Sequence, residues 1–389
     1  MTDHHIERTY LFNARRATPQ YPEANRYCGS LLPALVKLLH EEEKIHIITS
    51  QETILPELTP LQRVTLHCTH ASPESREGRR IVKKLAKQLN PDIYHSATLY
   101  DSISSKIKSV ATIHQHSPLN KSASQSTLRK RIKFLLRIRP RLKRFNTFIS
   151  ISSNLLPSYA GTKIEKHNVI IPYGVGKQFK ELPQKDIDTV KNKYALPKRF
   201  LLMIMAGENT RNLTTVLDAM QSTDFTETSP LVIAGYSSKS DSITKLIEQR
   251  ELRSRIYQAG PIEDKDMPAL YNAAFTLLFP NIIKGTGLPV MEAMACGTPV
   301  ICSSLPVLIE LAAGAATLVH PTDKLEWCRA VSTALLSINW PEESRKAVLE
   351  RAKSFSWEKA AEETLKVYRQ LGAAKPHIIK NTQPVACSL

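Results

Sequence analysis

Short apolar, β-branched runs alternate with helix-patterned stretches along almost all of this chain, and that alternation narrows the choice of fold before anything else does. In the first half the runs are Thr9–Asn13, Ile45–Thr49, Val64–His67, Asp92–His95, Val110–His114, Thr147–Ile151 and Val169–Ile171. The second half has Phe200–Met205, Pro230–Ala234, Arg255–Gln258, Phe275–Phe279, Val300–Cys302 and Thr317–Val319. Helical stretches such as Cys28–His40 and Arg79–Leu89 lie between them. Strand–helix alternation of this kind predicts βαβ units and parallel sheets, with ligands held at the carboxyl ends of the strands. The charged, proline-containing segment Gly174–Lys198 carries no strand signal, and a new run starts at Phe200. A length of 389 residues exceeds what one core usually supports. The expected division is a first domain over 1–180, a linker over 181–199, a second domain over 200–355, a closing helix over 356–372 and a loose tail over 373–389. Two α/β domains facing each other leave a cleft, a common ligand site.

Composition removes several classes. Hydrophobic content of 42% and charged content of 23% are an ordinary globular mix, which excludes disordered, collagen-like and coiled-coil chains. No run approaches the ~18 apolar residues of a membrane-spanning helix, and Met1–Arg8 lacks the apolar core of a signal peptide. Six cysteines without CxxC spacing fit reduced, mostly buried thiols in a cytoplasmic protein. The string His67-Cys68-Thr69-His70 lacks further ligands at zinc spacing and reads as a surface loop.

Net charge is +17, and its distribution matters more than its sum. Between Ser102 and Ile164 there is no Asp or Glu, against 13 Lys or Arg, most of them within Arg129–Arg144. Leu128, Ile132, Leu135 and Leu136 follow helical spacing there, so an amphipathic helix with a basic face is expected up to Pro140. Such a face suits solvent alone, anionic lipid or nucleic acid. Each Lys or Arg near an anionic membrane contributes about 1 kcal/mol. No nucleic-acid motif accompanies the charge. An anionic membrane surface is therefore the expected partner of Arg129–Arg144, and nucleic acid is not.

The stretch that carries chemistry is Leu277–Ser304. It reads as a strand ending at Phe279, a loop to Gly287, a helix from about Pro289 to Ala295, and a Gly-Thr-Pro turn into the next strand. Pro289 suits a first helical position, where its missing N–H costs nothing. Gly285 and Gly287 let the backbone approach a ligand, and the helix start behind them offers free N–H groups and a positive dipole. That arrangement suits a diphosphate. Glu292, about one turn in, is placed to accept bonds from a ribose diol. Glycines serving turns alone would give the same GxG.

The whole string, however, resembles the signature of retaining GT-B glycosyltransferases of family 4, roughly E-G-F-G-L-P-x-x-E-A-M-A-C-G-T-P-V. Gly285, Gly287, Leu288, Pro289, Glu292, Ala293, Met294, Ala295, Cys296, Gly297, Thr298, Pro299 and Val300 stand in register with it. Asp264–Phe279, Leu231–Gly235 and Phe355–Arg369 resemble further family segments, as do Arg26-Tyr27, Asp92–Ser96, Ala111–Leu119, Ile149–Ser152 and Ile171–Val175 in the first half. The resemblance implies two Rossmann-like domains with parallel sheets facing across a cleft, and a C-terminal helix packing back towards the first. It implies a nucleotide-sugar co-substrate, a GDP- or UDP-linked hexose, held by the second domain, with a lipid-linked or cell-envelope glycan acceptor bound by the first. Transfer would retain anomeric configuration, with no cofactor and no obligatory metal, at the cytoplasmic face of the plasma membrane.

Residue by residue, the resemblance gives Arg211, Gly285, Thr286, Gly287, Leu288 and Glu292 to the donor, with Arg211 neutralising the diphosphate and Glu292 holding the ribose. It gives His114, Lys284 and Arg211 to the reacting centre, His114 being the histidine after the fourth first-domain strand. Asn25, Arg26 and His116 fall on the acceptor side. Departures from the pattern are Lys284 for the first signature glutamate, Thr286 for its aromatic neighbour, Thr210 for a second basic residue ahead of Arg211, Met205 for a glycine before it, Gln115-His116 for Asp-Leu, and Tyr21–Asn25 without the usual glycine. Unit charges about 4 Å apart interact by about 4 kcal/mol at an effective dielectric of roughly 20. An ammonium at Lys284 therefore opposes an oxocarbenium-like centre unless it turns away or pairs with an anion. A catalytically degenerate subunit that only binds the nucleotide sugar, or acts as a scaffold, is the alternative function.

Overall fold

The computed structural model describes residues 7–18, 21–50, 58, 62–114, 132, 136, 138–159, 161–205, 212–221, 229–235, 241–282, 287–336 and 339–373. Thirteen strands among them fall within two residues of the thirteen apolar runs. The first sheet holds β1 (Arg8–Asn13), β2 (Glu43–Thr49), β3 (Val64–Cys68), β4 (Ile93–Ser96), β5 (Lys108–Ile113), β6 (Thr147–Ser150) and β7 (Asn168–Ile170), in the order β3-β2-β1-β4-β5-β6-β7. The second holds β8 (Leu201–Ile204), β9 (Leu231–Ala234), β10 (Ile256–Gly260), β11 (Thr276–Phe279), β12 (Val300–Ser303) and β13 (Thr317–Val319), in the order β10-β9-β8-β11-β12-β13. Every pairing in both is parallel. Central strands such as β4 and β9 are buried along their whole length, as sheets covered on both faces require. Strand order reverses between β1 and β4, and again between β8 and β11. Those are the positions where an open α/β sheet leaves a crevice at its carboxyl edge.

The helices differ from expectation at their starts. Helix Pro22–Lys37 begins six residues before Cys28, because Pro22 occupies its first turn and leaves no donor unused. Helix Arg76–Leu89 starts earlier than Arg79, where the Ser75 hydroxyl accepts from the Gly78 amide at 2.9 Å. Pro140 lies in the first turn of a short helix, Arg139–Leu142. Of the basic segment, Ile132 and Leu136 are exposed while Ile138 and Leu142 are buried; most of 128–137 lies outside the described residues.

Helix Trp357–Gly372 closes the molecule on the first domain, where Tyr368 hydrogen-bonds His95 of β4. Arg369 donates to Glu43 from Nε at 2.9 Å and from Nη2 at 2.7 Å, and Tyr10 Oη donates to the same carboxylate at 2.6 Å. Burial alone raises the Glu43 carboxyl; these donors, with the His40 amide, outweigh it and hold it at about 2 against an ordinary 4.5. A depressed folded value means that this clasp stabilises fully above pH 4.5 and is lost as pH falls towards 2. Thermal melting should therefore decline below about pH 4.5, and Glu43→Gln should lack that part of the decline while starting from a lower melting point at pH 7.

One buried ion pair sits at the first reversal of strand order. Arg15, fully buried in the loop after β1, lies with Nη2 3.1 Å from Oδ2 of Asp101 in the loop after β4. Tyr94 Oη donates to the Asp101 carbonyl at 2.6 Å and accepts from Asn13 at 3.0 Å. A methyl group at Gly78 would fall 2.0 Å from Arg15 Nη1, so only glycine admits the guanidinium there.

Candidate functional site

The second reversal of strand order positions the signature. After β11 the chain returns at Gly287, whose φ of +67° opens helix Leu288–Ala295. A Cβ at Gly287 would lie 2.6 Å from Leu311 Cδ1, so both backbone and space demand glycine. Val290 and Met291 already bond back to the Gly287 carbonyl, so the positive end of the helix lies at Gly287. Past the helix, Gly297 takes φ +72° and Thr298 Oγ1 donates to the Tyr271 carbonyl at 2.7 Å, which fixes the turn into β12. Lys284, Gly285 and Thr286 lie outside the described residues, as do Arg211 and His116. Asn212, next to Arg211, adopts φ +71°; its Nδ2 donates to the Pro321 carbonyl at 2.6 Å and its Oδ1 accepts from Thr215 at 2.7 Å, tying this loop to the one after β13.

Glu292 is only 3% exposed and carries two partners. Tyr271 Oη, from helix Met267–Ala273, donates to Oε2 at 2.9 Å. Arg26, from helix Pro22–Lys37 of the first domain, pairs with Oε1 across the crevice. Burial pushes the Glu292 carboxyl upward, against the opposing pull of Arg26 and the Tyr271 hydroxyl. Arg26 thus stands on the carboxylate that the family signature gives to the donor, although the sequence puts it with the acceptor. Asn25 is half-buried one residue before it.

His114 follows β5, the fifth strand in chain order, and not the fourth. Its Nε2 donates to the Ala97 carbonyl at 2.6 Å, leaving Nδ1 to accept from Tyr173 Oη. Burial pushes this imidazole down to about 4, against the Ala97 carbonyl, so it is neutral at pH 7. Tyr27 and Tyr173 pack on it, ring centroids 5.0 and 5.9 Å away, and Trp357 covers Tyr173 at 5.4 Å. In this state both ring nitrogens are engaged within the first domain.

A second contact crosses the crevice. Glu310, on helix Pro306–Ala312, accepts from Ser152 Oγ at 2.7 Å, Ser153 Oγ at 2.9 Å and Asn154 Nδ2 at 2.5 Å. Burial raises its carboxyl, and these donors outweigh burial and hold it below the usual range. Neither Tyr271 nor Glu310 carries a sequence signal for this role: one is an aromatic in an apolar helix, the other an acid on a helix face, and each acquires its partner only through the fold.

Other features lie away from this site. His67, from the string expected to be a loop, belongs to β3, and its Nε2 lies 3.0 Å from Nδ1 of His46. Among the described residues no three His, Cys, Asp or Glu side chains form a metal-binding group. A groove of about 920 Å³ runs behind the signature helix at its far end, between Val175 and Phe179, just ahead of the linker, and Ala347, Leu349 and Phe355.

Two parallel α/β domains, clasped across a crevice in which a glycine-opened helix presents a buried glutamate, define a chain of GT-B architecture. Residues 184–375 match the family model of glycosyl transferases group 1. The chain is 33% identical over 187 residues to the O-antigen chain mannosyltransferase B of Escherichia coli, covering 47% of this chain and 49% of that protein. It thus spans about half or less of the length of the curated relatives it matches. Among solved structures, a sucrose-phosphate synthase from Thermosynechococcus elongatus superposes with a TM-score of 0.71 at 19% identity, over 95% of this chain and 100% of that one. WaaG, a glycosyltransferase involved in lipopolysaccharide biosynthesis, superposes with a TM-score of 0.68 at 14% identity, over 92% and 99%. No described helix is long and apolar enough to cross a membrane.

Proposed function

We propose that this chain is a retaining glycosyltransferase of family 4 that moves a hexose from a GDP- or UDP-linked donor to a lipid-linked O-antigen-type glycan. The observation that carries the reading is Glu292, buried one turn behind the Gly287-opened helix start within the stretch that matches glycosyl transferases group 1. Likeness to an O-antigen chain mannosyltransferase favours mannose as the sugar. In this reading Glu292 holds the ribose, and the amides of Gly285–Leu288 with Arg211 meet the diphosphate. Departure of that diphosphate builds negative charge, and preorganised donors facing it are usually the largest catalytic contribution. In this reading the ammonium of Lys284 serves the phosphates, since it would oppose the developing positive charge on the sugar. The reaction uses no cofactor and no metal.

The test is a panel of GDP- and UDP-linked sugars supplied with membrane extract as the acceptor source. Sugar transfer from one donor, with mannose foremost, is the expected result. No donor turnover in any pairing overturns the reading in favour of a binding or scaffold subunit. Arg129–Arg144 attaches the protein to the inner face of an anionic membrane; vesicles containing anionic lipid should pellet the chain, and should fail to pellet one in which these basic residues are neutralised.

A further inference from the structure

We infer that Arg26 is a donor-site cation: it rests on Glu292 while the crevice is empty, and moves to the donor's diphosphate when a ribose takes its place. This rests on the nucleotide-sugar reading above and adds a residue of the opposite domain to it. The two partners of Glu292 differ in kind. Tyr271 is fully buried, belongs to the same domain and stays with the carboxylate whatever the crevice holds. Arg26 comes from the facing domain on a side chain 39% exposed, so it is the partner a ligand can displace.

A ribose diol brings two hydroxyl donors to Glu292, and Oε1 becomes available to them only when the guanidinium leaves. The donor that displaces Arg26 also brings two phosphate charges. Gly287 opens the helix five residues before Glu292, about 7.5 Å along the axis at 1.5 Å per residue, a swing comparable to the length of an arginine side chain. A guanidinium fork suits bidentate phosphate contact. The exchange therefore leaves no charge unpaired: carboxylate passes from guanidinium to diol, and guanidinium from carboxylate to diphosphate. The sequence explains why such a cation is wanted, since Thr210 stands where the family carries a second basic residue ahead of Arg211.

In the transfer step the bond between the anomeric carbon and the distal phosphate oxygen breaks, and its electron pair leaves with the nucleoside diphosphate. The acceptor hydroxyl oxygen forms the new bond to that carbon, and its proton passes to the departing phosphate. Arg26 faces the oxygens on which negative charge grows, so it acts on kcat as well as on binding.

Calorimetry on the full chain with GDP and UDP, set against guanosine and uridine, tests this in the wild type, Arg26→Gln and Arg26→Lys. Arg26→Gln should weaken the diphosphate that the wild type binds by about 10- to 100-fold. The matching nucleoside, which has no phosphates, should bind as well or better, because its ribose no longer has to displace a guanidinium. Arg26→Lys should restore part of the diphosphate affinity and of kcat. Equal loss for nucleoside and diphosphate, the mark of a merely structural role, overturns the inference, as does unchanged diphosphate binding. A wild type that binds neither GDP nor UDP overturns the nucleotide-sugar reading itself, and this inference with it.

Discussion

Glu292→Gln should lower kcat/KM for the sugar donor by about 100-fold or more while leaving the protein folded. Hydrogen bonds to a charged group contribute about 1.5–3 kcal/mol each, and a ribose diol makes two of them, so losing the charge removes about 3–6 kcal/mol of transition-state and ground-state binding together. The amide keeps the shape of the side chain, and its oxygen still accepts from Tyr271. The carboxyl is already raised by burial, so removing its charge also relieves a desolvation cost, and unfolding by urea should shift little. The measurement is donor-dependence kinetics beside urea melting. A variant within about threefold of wild type would remove Glu292 from the donor site; a variant that fails to fold would be read through donor binding by Glu292→Asp, whose shortened carboxylate keeps the charge but withdraws it from the diol.

Asp101→Ala should cost about 3–5 kcal/mol of stability, the usual result of stripping a buried cation of its counter-charge. Arg15 is fully buried, and Nε, Nη1 and Nη2 have no hydrogen-bond partner among the described residues, so Asp101 supplies nearly all its compensation through charge. At about 2–4 °C per kcal/mol for a domain of this size, the melting point should fall by roughly 6–20 °C. Replacing both partners, Arg15→Met with Asp101→Leu, should recover most of that loss, because two apolar groups of similar volume remove the buried charges together. A single variant that melts within 2 °C of wild type, a shift of about 1 kcal/mol or less, would show that the pair is solvated in solution.

The fold was legible because each strand is a local event. Runs such as Ile45–Thr49 and Pro230–Ala234 declare themselves by β-branched residues bounded by polar or glycine positions, and parallel alternation leaves few architectures to choose from. Helix starts were less legible: Tyr21-Pro22-Glu23 reads as a loop until one sees that Pro22 sits in a first turn. The turn and helix of the signature were readable from Gly287 and Pro289 because their conformational preferences are intrinsic to the residues. Contacts across the crevice were not. Arg26 and Glu292 are 266 positions apart, and nothing within either helix points to the other. Glu310 likewise finds Ser152, Ser153 and Asn154 only after two independently wound sheets have met. Local preference writes the elements; the meeting of domains writes the partners.

The closing helix carries a consequence for how the chain is made. Tyr10 and Glu43 leave a ribosome more than three hundred residues before their partner Arg369, and His95 leaves it 273 residues before Tyr368. The N-terminal half must wait for its last piece with a strand face and a buried carboxylate still bare. A nascent chain stalled before Trp357 is therefore a substrate for chaperones and proteases, even though every strand of its first sheet has been synthesised.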